Sequence, residues 1–88
     1  MKRQDLDEQI VAILSRASML PPEVFAREKT LDSLGLGSLE RIECIMELED
    51  GLKVELRDED LWKLRTVGDV LDAIHRAVDD QSGRRTPS

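Results

Sequence analysis

Ser38 is the residue of this 88-residue chain whose chemistry is easiest to interpret. Its hydroxyl lies between Gly37 and Leu39, where a glycine-interrupted segment meets a strongly acidic, amphipathic one. A serine nucleophile needs a neighbouring base to activate it, and no His, Asp or Cys has the spacing to serve Ser38 in that way. The hydroxyl therefore has the character of a site that another enzyme modifies, and not of a catalytic nucleophile.

The remaining reactive side chains form no recognisable catalytic or metal site. His75 and Cys44 are the only residues of their kinds and lie far apart in the sequence, whereas a metal site needs several such ligands at close spacing. We expect Cys44 to pack in or near the core and His75 to lie at the surface or the core rim. Gly35-Leu36-Gly37 is too short for a phosphate-binding loop. The sequence predicts no catalytic residue and no metal ligand, and hence a protein that is not an enzyme.

Apolar residues at helical spacing predict an all-α fold. We expect a small antiparallel bundle of three main helices plus one short helix, with a long loop between the first and second helices. That loop should cover residues 18–37, which Pro and Gly punctuate. A single domain would occupy residues 1–80. Residues 81–88 lack apolar side chains and are expected to form a disordered tail.

Capping and stop signals set the expected ends of these helices. The first helix should begin at Asp5 and stop before Pro21, and the second should run from Ser38 to Asp50 with Gly51 as its C-cap. The short helix should run from Asp58 to Leu64. The last helix should begin at the capping pair Thr66 and Asp69 and end at about Val78. Residues 52–56 alternate like a strand. With no second strand to pair with, they are expected to form an extended segment.

The net charge of −6 lies entirely within one segment of the chain. Between Ser38 and Asp60 there are nine acidic and three basic residues, and the rest of the chain is neutral. Such a surface repels nucleic acid and anionic membranes and attracts basic protein surfaces. The alternative is an ordinary solvated helix face that only promotes solubility.

Cysteine content and hydropathy favour a cytoplasmic location. A single Cys excludes an internal disulfide and suits a reducing compartment. The first residues run into acidic ones with no long apolar stretch behind them, so neither a signal peptide nor a transmembrane segment is expected. We expect a monomeric, cytoplasmic protein.

The segment from Ser38 to Asp50, SLERIECIMELED, resembles the second helix of acyl carrier proteins, in which the modified serine is followed by Leu and by alternating acidic and aliphatic residues. Residues 31–35 are similar to the loop that enters this motif, and residues 64–70 are similar to the start of the family's last helix. The resemblance covers about residues 6–79. Gly37 stands where the family usually has Asp, and it is expected to loosen the entry to the helix because Gly adopts backbone angles that Asp resists.

A second serine, Ser33, competes for the assignment because Asp32-Ser33-Leu34 copies the family's Asp-Ser-Leu tripeptide. A helix that began at Ser33 would include two glycines, each of which costs about 1 kcal/mol relative to Ala. Only the register from Ser38 places the acidic helix and the downstream motif correctly. We therefore expect Ser33 to be a loop residue.

The resemblance implies that a phosphopantetheinyl transferase attaches 4′-phosphopantetheine from coenzyme A to Ser38. The arm would carry acyl or aminoacyl groups as thioesters in fatty-acid, polyketide or related biosynthesis. Expected partners are acyl- or aminoacyl-loading ligases, synthases and transferases with basic docking surfaces. Two alternatives remain, namely a peptidyl or aminoacyl carrier of a nonribosomal-peptide-type pathway and an unmodified helical interaction module.

The second helix is expected to supply the docking surface for these partners. The residues expected to dock are Glu40, Glu43, Ile45, Met46, Glu47, Glu49 and Asp50. Ile45 and Met46 could equally serve as core residues. A core that shelters a short acyl chain is expected from Leu48, Leu52, Leu61, Trp62, Leu64, Val70 and Ile74.

Overall fold

Four α-helices and two short 3-10 turns make up the fold in the computed structural model, which describes the backbone of residues 3–84 and the side chains of residues 4–80. The helices are α1 (Arg3–Ser18), α2 (Ser38–Leu52), α3 (Asp58–Leu61) and α4 (Val67–Arg84), and the turns are Pro22–Val24 and Asp32–Leu34. The described residues form no strand, and a single isolated bridge joins Thr30 to Thr66. The prediction of a small all-α bundle with three long helices and one short one is confirmed.

The helix ends differ from the expected ones in four places. Helix α1 begins at Arg3, two residues before the expected start at Asp5. Helix α2 continues through Gly51 and ends at a C-cap Lys53 with a φ of 58°, so Gly51 is not the C-cap. A Cβ at Gly51 would lie 3.0 Å from Ile13 Cδ1, so glycine there lets α1 pack closely against α2. Helix α4 extends to Arg84, past the domain boundary expected at residue 80, and residues 85–88 of the expected tail lie outside the described residues.

Helix α3 is three residues shorter than expected. It ends at Leu61, and the next hydrogen bonds, from Lys63 N to Asp60 O and from Leu64 N to Leu61 O, are of the tighter 3-10 type. This turn places Leu64 in the core. The gain from burying a leucine side chain, about 2 kcal/mol, exceeds the preference for another helical turn.

The aliphatic core is built chiefly from the three long helices. Its largest fully buried side chains are Ile10, Leu14, Leu48, Val67, Val70 and Ile74. The stripe on α1 recurs at intervals of three or four residues, which is why this helix could be located from the sequence. Burial of this stripe is the main source of the stability of the helix, because isolated helices of this length are marginal in water.

The expectation that His75 lies at the surface or core rim is wrong. His75 on α4 is only 7% exposed, and its Nε2 lies 2.6 Å from Oδ1 of Asp7 on α1. The pair connects the first and last helices through a polar contact at the edge of the bundle, where Asp7 stays partly exposed. A lone His beside Ile74 gives no sequence signal for a partner 68 residues away.

The long loop between α1 and α2 is held against the start of α4 by backbone hydrogen bonds. Val67 N donates to Lys29 O at 2.9 Å, Gly68 N donates to Arg27 O at 3.0 Å, and Leu31 N donates to Arg65 O at 2.8 Å. A Cβ at Gly68 would lie 3.2 Å from the carbonyl oxygen of Arg27, so this close approach needs glycine. The loop therefore has a fixed path into α2.

Thr66 and Asp69 form the capping box predicted for α4. Asp69 N donates to Thr66 Oγ1 at 3.1 Å, while Asp69 Oδ2 accepts hydrogen bonds from the backbone N–H groups of Arg65 and Thr66 at 3.0 and 3.1 Å. These bonds stabilise the ionised carboxylate and lower the pKa of Asp69, with the bond from Arg65 as the main cause.

Asp69→Ala is expected to lower the free energy of unfolding by about 1 kcal/mol at pH 7, because the backbone N–H groups of Arg65 and Thr66 lose their carboxylate acceptor. The folded-state pKa of Asp69 is depressed, so its stabilisation is complete above the unfolded pKa of about 3.9 and is lost as the pH falls through the folded pKa. Urea unfolding at pH 7 and near pH 3 measures the difference. The exposed Asp79→Ala serves as control, and an equal loss in both variants would refute the capping role.

Candidate functional site

Ser38 is the first residue of α2, and its side chain is exposed. The N-cap is Gly37, whose carbonyl oxygen accepts the hydrogen bond from Arg41 N at 2.9 Å. Ser38 is therefore not needed as a capping residue, and its hydroxyl lies at the positive end of the helix. The N–H groups and the dipole of a helix N-terminus favour a negatively charged group there, such as a phosphate.

Gly37 does not occupy a backbone conformation that only glycine adopts. Its φ of −75° and ψ of −172° are extended and open to any residue, so the expectation that Gly37 loosens the helix entry is not supported. A Cβ at this position would lie 3.0 Å from Oε1 of Glu40, which is the end of a flexible side chain. The effect of having no carboxylate at position 37 is therefore electrostatic: one fewer negative charge beside the Ser38 oxygen.

Arg41 fixes the loop that leads to Ser38. Its Nε donates to Leu36 O at 3.0 Å, its Nη1 donates to Leu64 O at 3.4 Å, and its Nη2 forms an ion pair with Asp32. One side chain thus connects α2 to the preceding loop and to the segment before α4. Sequence reasoning missed this role, because each partner lies outside the helix and the spacing gives no sign of the contact.

Ser33 occupies a different environment from Ser38. It lies in the 3-10 turn Asp32–Leu34, where its hydroxyl donates to Thr30 O at 2.8 Å and its N–H donates to Thr30 Oγ1 at 3.1 Å. The turn ends at Gly35, whose φ of 79° is left-handed and prevents an α-helix from continuing. Ser33 therefore stabilises a turn, as expected of a loop residue.

A mainly apolar cavity of about 330 Å³ lies beside Ser38, which is one of its lining residues. The apolar walls come from Leu14, Leu31, Leu36, Ile42, Cys44, Ile45, Leu61, Trp62, Leu64 and Val70. Of the residues expected to shelter an acyl chain, four line this cavity: Leu61, Trp62, Leu64 and Val70. Leu48 and Ile74 instead pack in the fully buried core, and Leu52 is half-buried against that core.

Cys44 in the cavity wall is a buried residue without reactive character. Burial raises the pKa of the Cys44 thiol, and the carboxylates of Glu43, Glu40 and Glu47 on the same helix raise it further. The nucleophilic thiolate is therefore disfavoured at neutral pH. The expected role of Cys44 as a small core residue is in keeping with this environment.

The acidic residues of α2 are exposed with one exception. Glu40, Glu43, Glu47 and Asp50 face solvent. Glu49 is half-buried, and its Oε2 accepts a hydrogen bond from Leu56 N at 2.8 Å, so it anchors the extended segment after α2. Replacing Glu49 would disturb this segment as well as any docking, and it is not a clean probe of a docking surface.

Ile45 and Met46, the two apolar residues expected in the docking surface, differ in exposure. Ile45 is only 5% exposed and belongs to the core, whereas Met46 is 60% exposed. Leu39 and Ile42, which looked like ordinary apolar positions of the helix, are exposed as well. With Met46 they form a strip at spacings of three and four residues, beside the acidic face. Helix α2 carries more apolar residues than one buried stripe can hold, and this excess in the sequence could have indicated a second, exposed apolar face.

The family model for the phosphopantetheine attachment site matches residues 8–74 of the chain. The chain belongs to the acyl carrier protein family. The acyl carrier protein of Thermosynechococcus vestitus is 37% identical to it over 79 residues, which cover 89% of this chain and 98% of that one. The acyl carrier protein of an Exiguobacterium species is 39% identical over 70 residues, 80% of this chain and 89% of the relative.

A solved structure supports the same family. The crystal structure of an acyl carrier protein from Thermotoga maritima matches with a TM-score of 0.78 at 29% identity, over 91% of this chain and 94% of that one. As a member of the acyl carrier protein family, the chain is a carrier that bears covalent 4′-phosphopantetheine, and it is not an enzyme. Within the part that the structure describes, no helix is long and apolar enough to cross a membrane.

Proposed function

We propose that Ser38 is the residue that bears the phosphopantetheine arm, and that the chain delivers acyl groups to the enzymes of fatty-acid, polyketide or related biosynthesis. One observation carries the assignment: Ser38 is exposed at the first position of α2 and lines an apolar cavity. The phosphopantetheine arm fits this position for two reasons. Its phosphate would lie at the positive end of a helix, and the exposed Ser38 hydroxyl leaves room for the rest of the arm.

The protein's own residues hold the arm and shield its cargo. The arm supplies a terminal thiol that carries an acyl group as a thioester. Ser38 Oγ anchors the arm, and Arg41 keeps the preceding loop in place through Leu36 and Leu64. The apolar cavity offers an acyl chain shelter from water, and the disfavoured thiolate of Cys44 in its wall spares a nearby thioester from attack.

The exposed face of α2 is the surface proposed for docking. Four carboxylates lie beside an apolar strip, and this combination suits partners that have basic side chains next to an apolar patch: the phosphopantetheinyl transferase, and the ligases, synthases and transferases that load or use the arm. The acidic residues are Glu40, Glu43, Glu47 and Asp50, and the strip is Leu39, Ile42 and Met46. Such contacts form quickly and weaken with salt. We place this exchange in the cytoplasm, as a single unpaired cysteine favours a reducing compartment.

The aminoacyl or peptidyl carrier alternative has no specific observation in its favour. The acid-dense second helix supports an acyl carrier, and so do relatives that are named acyl carrier proteins. The unmodified interaction module is separated from a carrier by a direct measurement.

Purified protein without the arm is incubated with coenzyme A and a broad-specificity phosphopantetheinyl transferase, and its intact mass is recorded. The expected result is a gain of one phosphopantetheinyl group per chain. A chain that gains no mass with any of several transferases, while an established carrier gains it in parallel, would refute the proposal and favour the unmodified interaction module.

A further inference from the structure

Trp62, the only Trp in the chain, is 86% exposed immediately after α3. Trp is highly buried on average, so a fully exposed indole in a small domain is unusual. A tryptophan side chain can bury about 150–250 Å² of surface, and in the free protein most of this area is in contact with water. The side chain is therefore available for a surface that covers it.

Trp62 lies in the neighbourhood of Ser38, because both residues line the same cavity. Ser38 belongs to α2 and Trp62 follows α3, so the two come to the cavity from different elements. An enzyme that brings its active site to Ser38 Oγ must cover the surface around the cavity. A binding mode confined to α2 would leave the largest exposed apolar side chain beside the cavity uncovered.

The charges next to Trp62 limit what can cover it. Helix α3 carries Asp58, Glu59 and Asp60 in its four residues. The exposed basic residues Arg57, Lys63 and Arg65 flank this helix, and Arg57 pairs with Glu59 at 3.6 Å. A second copy of this chain, with its net charge of −6, and an anionic lipid surface would both be repelled. A protein that has an apolar pocket for the indole and Arg or Lys opposite the α3 carboxylates is complementary in both polarity and charge.

We propose that Asp58, Glu59, Asp60 and Trp62, the α3 edge, are a second docking surface for the phosphopantetheinyl transferase that modifies Ser38, with the indole in an apolar pocket and the three carboxylates against basic side chains. This proposal rests on the function proposed above. It adds an aromatic anchor on α3 to the acidic face of α2. Central aromatic anchors carry a large share of the binding energy in protein interfaces.

The test compares the modification of wild type, Trp62→Ala and Met19→Ala by the broad-specificity phosphopantetheinyl transferase used above. Met19 is 88% exposed at the end of α1 and is not among the cavity residues, so it is a matched control for the loss of an exposed apolar side chain. The expected result is a KM that rises about 5- to 30-fold in Trp62→Ala with little change in kcat, and no change in Met19→Ala. Circular dichroism checks that both variants remain folded.

A second measurement observes the indole directly. Because the chain has one Trp, 5-fluorotryptophan gives one ¹⁹F resonance, which is expected to shift or broaden when unlabelled transferase is added. An unchanged KM in Trp62→Ala, a resonance unaffected by saturating transferase, or a resonance that shifts with the concentration of the carrier alone would overturn the proposal. If wild type is not modified at all, the proposed attachment at Ser38 fails instead, so the two failures are distinct.

Discussion

Ser38→Ala is expected to abolish the gain of a phosphopantetheinyl group completely, while Ser33→Ala keeps it. In the function proposed above, the exposed hydroxyl at the start of α2 receives the phosphate, and alanine removes this oxygen without disturbing the N-cap, which Gly37 provides. Ser33→Ala removes only the hydrogen bond from the Ser33 hydroxyl to Thr30 O, which stabilises a turn. Intact mass after incubation with coenzyme A and transferase distinguishes the two.

The paired variants are needed because peptide mapping with trypsin alone does not separate the two serines. Cleavage after Lys29 and Arg41 leaves Ser33 and Ser38 on the same peptide. Ser33→Ala also controls for a loss of modification through local unfolding, since it weakens the loop that leads to α2. A mass gain that persists in Ser38→Ala and disappears in Ser33→Ala would transfer the attachment site to the earlier serine and overturn the register used throughout.

The long helices could be predicted because their signals are local. Apolar spacing locates α1 and α4, and the capping pair Thr66 and Asp69 marks the start of α4 within one residue. The helix ends were less predictable because they depend on neighbours. Gly51 resembles a C-cap in sequence, but the close approach of Ile13 explains it, and this contact joins residues of different helices.

The orientation of α2 explains most of the differences at the site. Position 45 faces the core while positions 39, 42 and 46 face solvent, although all four carry apolar side chains. Helical spacing groups residues into faces, but the packing of α1 and the loop decides which face is buried. The same holds for Glu49, whose bond to Leu56 N depends on the path of the chain after the helix. The position of Ser38 at the start of α2 and the acidic surface were predictable, whereas the burial of Ile45 and the exposure of Leu39 and Ile42 were not.

Charge reversal on the exposed face of α2, in the double variant Glu43→Lys/Glu47→Lys, is expected to lower kcat/KM for modification by the transferase about 10- to 100-fold at low salt. Both side chains face solvent one turn apart, so the reversal replaces attraction of a basic partner by repulsion without removing a core contact. The effect should shrink as salt is raised, since the Debye length falls from about 10 Å at 0.1 M to about 3 Å at 1 M.

A control with the same change in net charge separates a local docking surface from a general electrostatic field. Glu8→Lys/Glu23→Lys alters two exposed acids outside α2 and is expected to lower kcat/KM by less than about threefold. Urea unfolding of both variants confirms that neither loses the fold. Equal losses in the two double variants would show that net charge alone attracts the partner, and unchanged transfer in Glu43→Lys/Glu47→Lys at low salt would remove α2 as the docking face. A larger loss of kcat/KM in Glu43→Lys/Glu47→Lys that disappears at high salt would support local docking on α2. Such a loss requires the carboxylates of Glu43 and Glu47 to lie within about a Debye length of basic side chains on the partner.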